Sequence, residues 1–205
     1  MTVIRLGTRA SALATTQSQT VADLLTAQGV QVELFHVTTD GDTSTASLRQ
    51  MGGTGVFATA IRYALIGSQC DVAVHSFKDL PTHPVEGLEV ICVPPREDPR
   101  DAFFSNVAAH LDDLPEGAVV GTASLRRQAQ VLARRPDLKV VPIRGNVETR
   151  LRKLADGEVD ATLLALAGLK RLDMTDRITS VIEPDVMLPA VAQGAIGIET
   201  RVGDD

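Results

Sequence analysis

"AVVGTASLRRQAQVLARRPDLKVVPIRGNVETRLRKLADGEVDATLLAL", residues 118–166, decides the fold. It reads as three short strands separated by two helices: AVVGT (118–122), a helix over 124–135, KVVPIR (139–144), a helix over 146–156, and ATLLAL (161–166). Strands that alternate with helices of this length imply βαβ units and a largely parallel sheet. The amino-terminal half repeats the plan with VIRLG (3–7), a helix from about Ala12 to Ala27, VQVELFHV (30–37), a helix near 55–67, DVAVH (71–75) and LEVICVP (88–94). Between the halves lies the turn-rich PPREDPRD (94–101). The last apolar segment, AIGIET (195–200), is a strand with no helix after it, and we expect it to cross back to the first domain. The expected organisation is therefore α/β, with domain 1 over 1–95 and 193–205, domain 2 over 100–190, and two hinge segments between them.

A chain of 205 residues, 44% hydrophobic and 22% charged, has enough apolar material for a folded core, in one large domain or two small ones. The apolar run ATLLALAGL (161–169) is about half of what a bilayer crossing needs and ends at Lys170 and Arg171, so no membrane span is expected. MTVIRLGTRAS lacks the pattern of a secretory signal, which gives a cytoplasmic expectation by default. Cys70 and Cys92 have neither CxxC spacing nor a neighbouring His pattern, and are expected to be reduced, buried thiols.

The formal charge is −6, yet residues 124–153 hold nine of the twenty Lys and Arg residues. With aromatics at only 3%, such a segment is a poor footprint for nucleic acid and a better one for a local anion site. In GTASLRRQ (121–128) a strand ends, Ser124 takes an N-cap position, and Arg126 and Arg127 fall in the first helical turn. Cations there oppose the helix dipole, so either an anion binds them or both point into water. VPIRGNVETRL repeats the design: Arg144 ends a strand, Gly145 frees the backbone, Asn146 can cap, and Arg150 lies one turn on. Ligands of open α/β sheets bind beyond the carboxyl ends of strands, and the repetition favours the anion site.

At the amino end VIRLG runs into TRASALATTQ, with Arg9 before a helix that Ser11 can cap. DVAVHSFKDLP releases His75, Ser76, Lys78 and Asp79 into a loop at the end of a strand, where catalytic groups belong. Asp79 could equally cap a turn at Leu80 and Pro81. Lys78 beside it would keep its carboxylate ionised, which suits stabilisation of positive charge. The segment VTTDGDTSTASLRQMGGTGV after His36 is rich in Gly, Ser, Thr and Asp, and reads as a mobile loop near a ligand or a passive surface loop.

"GTRASALATTQ", "DVAVHSFKDLPT", "REDPRDAF", "GTASLRRQAQ", "IRGNVETRL", "AGLKRL" and "LPAVAQGAIGIE", in this order, resemble the signatures of the porphobilinogen deaminase (hydroxymethylbilane synthase) family. The resemblance implies two domains like those of type II periplasmic binding proteins, with the cleft between them, followed by a third domain that this sequence does not contain. It implies a transferase that joins four porphobilinogen units head to tail with release of ammonia, giving hydroxymethylbilane for haem and other tetrapyrroles. A dipyrromethane cofactor, bound through a thioether to a cysteine in a glycine-rich Cys-Gln setting, primes the chain.

By that resemblance Asp79 is the catalytic carboxylate, contacting pyrrole nitrogens and stabilising the cation left when ammonia departs. Arg9, Ser11, Ser76, Lys78, Thr122, Ser124, Arg126, Arg127, Arg144, Gly145, Arg150, Arg171 and Gln193 hold the acetates and propionates of cofactor and substrate. Arginine forks match carboxylates two bonds at a time. Neither Cys70 nor Cys92 has the attachment setting, so no attachment cysteine is expected within these residues, nor any metal. Thr54 and Ala123 stand where many relatives carry lysine and serine. The expected partners are porphobilinogen and linear pyrrole intermediates, without nucleic acid or membrane, and the expected state is a monomer of little activity by itself. The alternative is a two-lobed module that binds a small polycarboxylate without chemistry.

Overall fold

The computed structural model describes residues 3–37 and 56–204, so the loop that follows His36 lies almost wholly outside the described residues. In chain order the elements are β1 (Val3–Arg9), α1 (Ala12–Thr26), β2 (Gln31–Val37), α2 (Val56–Ile66), β3 (Val72–Ser76), a 3-10 turn (Phe77–Asp79) and β4 (Leu88–Cys92). They continue with β5 (Asp101–Ser105), β6 (Val119–Gly121), α3 (Leu125–Arg134), β7 (Lys139–Val141), α4 (Val147–Ala155), β8 (Ala161–Ala165), α5 (Leu166–Arg171), β9 (Ser180–Ile182) and β10 (Ile196–Arg201).

The chain divides into two units, Met1–Glu97 with Gly194–Asp205, and Asp98–Gln193, each built on its own five-stranded sheet. The first sheet has the order β2-β1-β3-β10-β4, with β1 parallel to β2 and β3, and β10 antiparallel to both its neighbours. The second has the order β7-β6-β8-β5-β9, with β6 parallel to β7 and β8, and β5 antiparallel to both of its own neighbours. The two sheets thus share one plan. In each, the antiparallel strand in fourth position is the first one formed after the chain has passed from the other unit. Both sheets are mixed rather than wholly parallel, four strands running one way and one against.

Helices cover both faces, and alternation along the strands shows it. In the first sheet Leu34, Leu6 and Val74 pack with Val21 and Ala22 of α1, whereas Phe35 and Ala73 pack with Ile61, Ala64 and Leu65 of α2. In the second, Phe103, Val120 and Leu163 meet Val131 of α3, while Ala102, Phe104 and Leu164 meet Leu151 and Leu154 of α4. Each unit therefore has a core on either side of its sheet, and the polar strand ends are left to the rim.

Two strands were not legible as elements: β9, and β5, which begins at Asp101 where the sequence reads as turn. The passage between units falls after Gln193, one residue beyond the boundary expected from sequence. Cys70 is a buried free thiol, but Cys92 is exposed, contrary to expectation, because β4 is the edge of its sheet and is exposed after Leu88.

Candidate active site

In the first unit, Arg9 ends β1 and Ser11 caps α1, its Oγ accepting from the Ala14 N–H at 3.4 Å. Beside β1 in the sheet, β3 ends at Ser76, whose hydroxyl donates to Oε1 of the buried Gln17 at 3.1 Å. Lys78 and Asp79 follow in the 3-10 turn. That turn is held from below: the Phe77 N–H donates to the Ala195 carbonyl at 3.1 Å, and the Phe77 ring lies on Gly197 of β10. Among the described residues, the Asp79 carboxylate has no hydrogen-bond or ion-pair partner. Asp71, Asp98, Asp101, Asp112 and Asp137 by contrast all meet an arginine.

Behind the turn sits a buried charge cluster that the sequence did not reveal. Glu199 of β10 takes Arg62 of α2 in a two-pronged pair, with Nη2 to Oε1 at 2.7 Å and Nε to Oε2 at 2.9 Å. His75 Nε2 lies 3.2 Å from Glu199 Oε2. Burial alone would raise the Glu199 pKa, but His75 and Arg62 together hold it down at about 2.

In the second unit, Thr122 and Ser124 build the turn between β6 and α3. The Ser124 N–H donates to Thr122 Oγ1 at 3.2 Å, and Ser124 Oγ caps the helix by accepting from the Arg127 N–H at 3.4 Å. The sequence favoured a bound anion over water for Arg126 and Arg127. The structure shows a third arrangement, in which a carboxylate of the chain itself sits between them. Asp101, wholly buried at the start of β5, accepts Arg126 Nη2 at 2.7 Å and Arg127 Nη2 at 2.7 Å, and Gln193 Nε2 at 2.8 Å. Arg127 is buried as well, whereas Arg126 keeps about a quarter of its side chain exposed.

Gly145, with φ of +112°, makes the turn into α4, and a Cβ there would meet Thr149 at 2.5 Å, so the position requires glycine. Asn146 caps α4 by accepting from the Thr149 N–H at 2.8 Å, and Arg150 donates Nε to the Gly145 carbonyl at 2.9 Å. Burial, and after it the like charges of Arg127 and Arg144, lower the Arg150 pKa to about 10. Three guanidiniums thus crowd one corner of the second unit, and Arg150 has no carboxylate among the described residues. Arg171 ends α5, which follows β8 directly. Much of the remaining basic charge is neutralised locally: Arg134 by Asp112, Arg135 by Asp137 and Lys153 by Glu158.

Residues 4–205 match the sequence family described as "Porphobilinogen deaminase, dipyromethane cofactor binding domain". The chain belongs to the porphobilinogen deaminase family. It is 53% identical to the porphobilinogen deaminase of Cutibacterium acnes, over 100% of this chain and 64% of that protein. It is also 53% identical to that of Thermobifida fusca, over 99% of this chain and 64% of the other. The chain therefore spans less than two thirds of the length of these relatives. Among solved structures it is similar in fold to the methionine binding protein MetQ, with a TM-score of 0.60, 13% identity, and coverage of 99% of this chain and 85% of that one. The lipoprotein Tp32 of Treponema pallidum gives a TM-score of 0.61 at 11% identity, over 98% and 85%. The fold is that of type II periplasmic binding proteins, as the resemblance implied.

With the porphobilinogen deaminase family established, the signature REDPRDAF acquires physical content. Arg100 is clasped by Asp98 at 2.8 Å and by Glu183 at 2.5 Å, and Asp101 gathers Arg126, Arg127 and Gln193. Asp101 was missed from sequence although it lies in a recognised motif. An acid opening the apolar run Ala102, Phe103 and Phe104 was the available signal. Among the described residues no group of His, Cys, Asp and Glu could hold a metal, and no helix is long and apolar enough to cross a membrane.

Proposed function

We propose that this chain forms the cofactor- and substrate-holding part of a hydroxymethylbilane synthase, which condenses four porphobilinogen units head to tail with loss of ammonia. The observation that carries the reading is Arg150, a guanidinium crowded by Arg127 and Arg144 and lacking an acid partner among the described residues. Such a group costs the fold free energy until an anion arrives. Pyrrole acetates and propionates are anions of the right kind, and several guanidinium forks in one corner suit a molecule that carries many of them.

Dipyrromethane fits that donor set, and when bound it supplies the primer to which pyrroles are added. The chain's own contribution is to grip carboxylates with Arg126, Arg144, Arg150 and Arg171 in the second unit, and with Arg9, Ser11 and Lys78 in the first. Asp79, unclaimed by any described residue, stabilises positive charge on a pyrrole that has lost ammonia. Ser76, Thr122, Ser124, Gly145 and Gln193 set the backbone and side-chain positions from which those groups reach. We place the reaction in the cytoplasm, carried out by a monomer.

Neither cysteine carries the cofactor in this reading. Cys70 is buried, and burial pushes its thiol pKa up, which leaves it a poor nucleophile. Cys92 is exposed but lacks the glycine-rich Cys-Gln setting. Residues 1–205 alone are then expected to turn over porphobilinogen very slowly, and to reach full rate when joined to the further segment that relatives possess. Intact mass and ammonia release test this directly. A bare mass with slow turnover, restored by the added segment, supports the reading. Porphobilinogen binding with no ammonia released even by the extended protein would favour a non-catalytic polycarboxylate binder instead.

A further inference from the structure

We propose that Asp101 is a positioning residue for the acid-binding face of the second unit: it gathers Arg126 and Arg127 so that Arg126 meets a ligand carboxylate while Arg127 serves as its inner support. The inference rests on the reading above, that this face holds pyrrole acids.

Adjacent residues on a helix point about 100° apart, so Arg126 and Arg127, early in α3, would splay unless something drew them together. Asp101 does so from another element. Its Oδ2 accepts Nη2 of Arg126 at 2.7 Å and Nε of Arg127 at 3.3 Å, and its Oδ1 accepts Nη2 of Arg127 at 2.7 Å and Nε2 of Gln193 at 2.8 Å. Four donors take the lone pairs of one wholly buried carboxylate. Arg127 spends its remaining Nη1 on the Leu163 carbonyl at 2.9 Å, so the protein uses all three of its nitrogens. Arg126 is anchored differently, with Nη2 on Asp101 and Nη1 on the Leu188 carbonyl, while its side chain stays about a quarter exposed. Gln193 ties the same carboxylate to the backbone, donating also to the Pro99 carbonyl at 2.7 Å.

Two roles for Asp101 predict opposite signs. Were the arginines only a reservoir of positive charge, removing an anion from their midst would tighten the binding of acids. If Asp101 sets their geometry, Asp101→Asn weakens acid binding even though the site gains one unit of positive charge, because the amide turns donors toward guanidiniums that need acceptors.

The test uses the full chain, titrated calorimetrically with porphobilinogen, and compares wild type, Asp101→Asn and the control Asp112→Asn. The control removes a carboxylate paired with Arg134, away from α3's first turn. Affinity about tenfold lower in folded Asp101→Asn and unchanged in Asp112→Asn supports the proposal. Equal or tighter binding by Asp101→Asn overturns it. If the wild-type chain takes up no porphobilinogen, the substrate reading fails for this chain, and side-chain nitrogen spectra decide the positioning role separately. A slowly exchanging Arg127 Nε–H signal in wild type that broadens in Asp101→Asn supports it, and a signal that survives overturns it. Should Asp101→Asn not fold, Gln193→Leu replaces it: a broadened Arg127 Nε–H signal supports the role and an unchanged one refutes it.

Discussion

Gly197 of β10 lies directly against Phe77: a Cβ at 197 would come within 2.7 Å of Phe77 Cδ2 and 3.3 Å of Leu80 Cδ1. Those two residues bracket Lys78 and Asp79, so the missing side chain at 197 sets how closely the 3-10 turn seats on the sheet. Gly197→Ala must push the Phe77 ring outward, and with it the turn. We expect a loss of about 1–3 kcal/mol, read as a lower melting temperature. Turnover by the extended protein should fall further than the lost stability explains, because Asp79 moves with the ring. Unchanged melting and unchanged turnover would show that the ring yields without moving the turn.

Asp79→Asn separates chemistry from folding. The carboxylate has no partner among the described residues, so the substitution should shift stability by no more than about 0.5 kcal/mol. Under the proposed role of Asp79 in stabilising positive charge, loss of its charge should cost about a hundredfold or more in the rate of ammonia release. Melting curves and initial rates on the same preparation check both halves. A rate within threefold of wild type would remove Asp79 from the chemistry.

Glu199 gives the first unit an acid limit. Its folded pKa lies at about 2, below an ordinary value of 4.5, because His75 and Arg62 outweigh the cost of burial. A carboxylate depressed in this way contributes stability above its unfolded pKa, and that contribution drains away as pH falls from about 4.5 through about 2. Other arginine-paired carboxylates titrate there too, so the informative quantity is a difference. Glu199→Gln should cost about 3–5 kcal/mol at neutral pH by leaving Arg62 buried without its anion. The gap between variant and wild type should close toward pH 2. A gap that stays constant over that range would mean that Glu199 contributes packing rather than charge.

The parts legible in the sequence were local. The strand and helix alternation follows from apolar runs punctuated by Gly, Pro and polar turns, and the caps at Ser11, Ser124 and Asn146 each accept the backbone N–H three residues on, as their positions implied. What stayed hidden was set by distance along the chain. β5, fourth in its sheet, is five residues long, with Ala102, Phe103 and Phe104 running without alternation between Asp101 and Ser105, and it is defined only by pairing with β8 and β9. The arginine site was visible as an excess of charge, but its wiring was not, since Asp101 lies 25 residues from Arg126, and Glu199 lies 137 from Arg62. Composition shows that charges must be balanced, and only the fold shows which ones are.

Arg150 should display a conflict between stability and binding. Its guanidinium is held at a pKa of about 10 by burial and by the like charges of Arg127 and Arg144. For a cation so depressed, the unfolded chain binds the proton more tightly, so the penalty is in full force at pH 7 and is relieved only as pH rises past about 10. Arg150→Met keeps the aliphatic stem and removes the charge, and should therefore raise stability by about 1 kcal/mol at neutral pH. The same substitution removes a carboxylate fork, and porphobilinogen affinity should drop tenfold or more. Saturating porphobilinogen should raise the melting temperature of wild type more than that of the variant, because the ligand's acids supply the missing counter-charge. A variant that melts lower than wild type and still binds equally well would mean that Arg150 already has its anion within the protein.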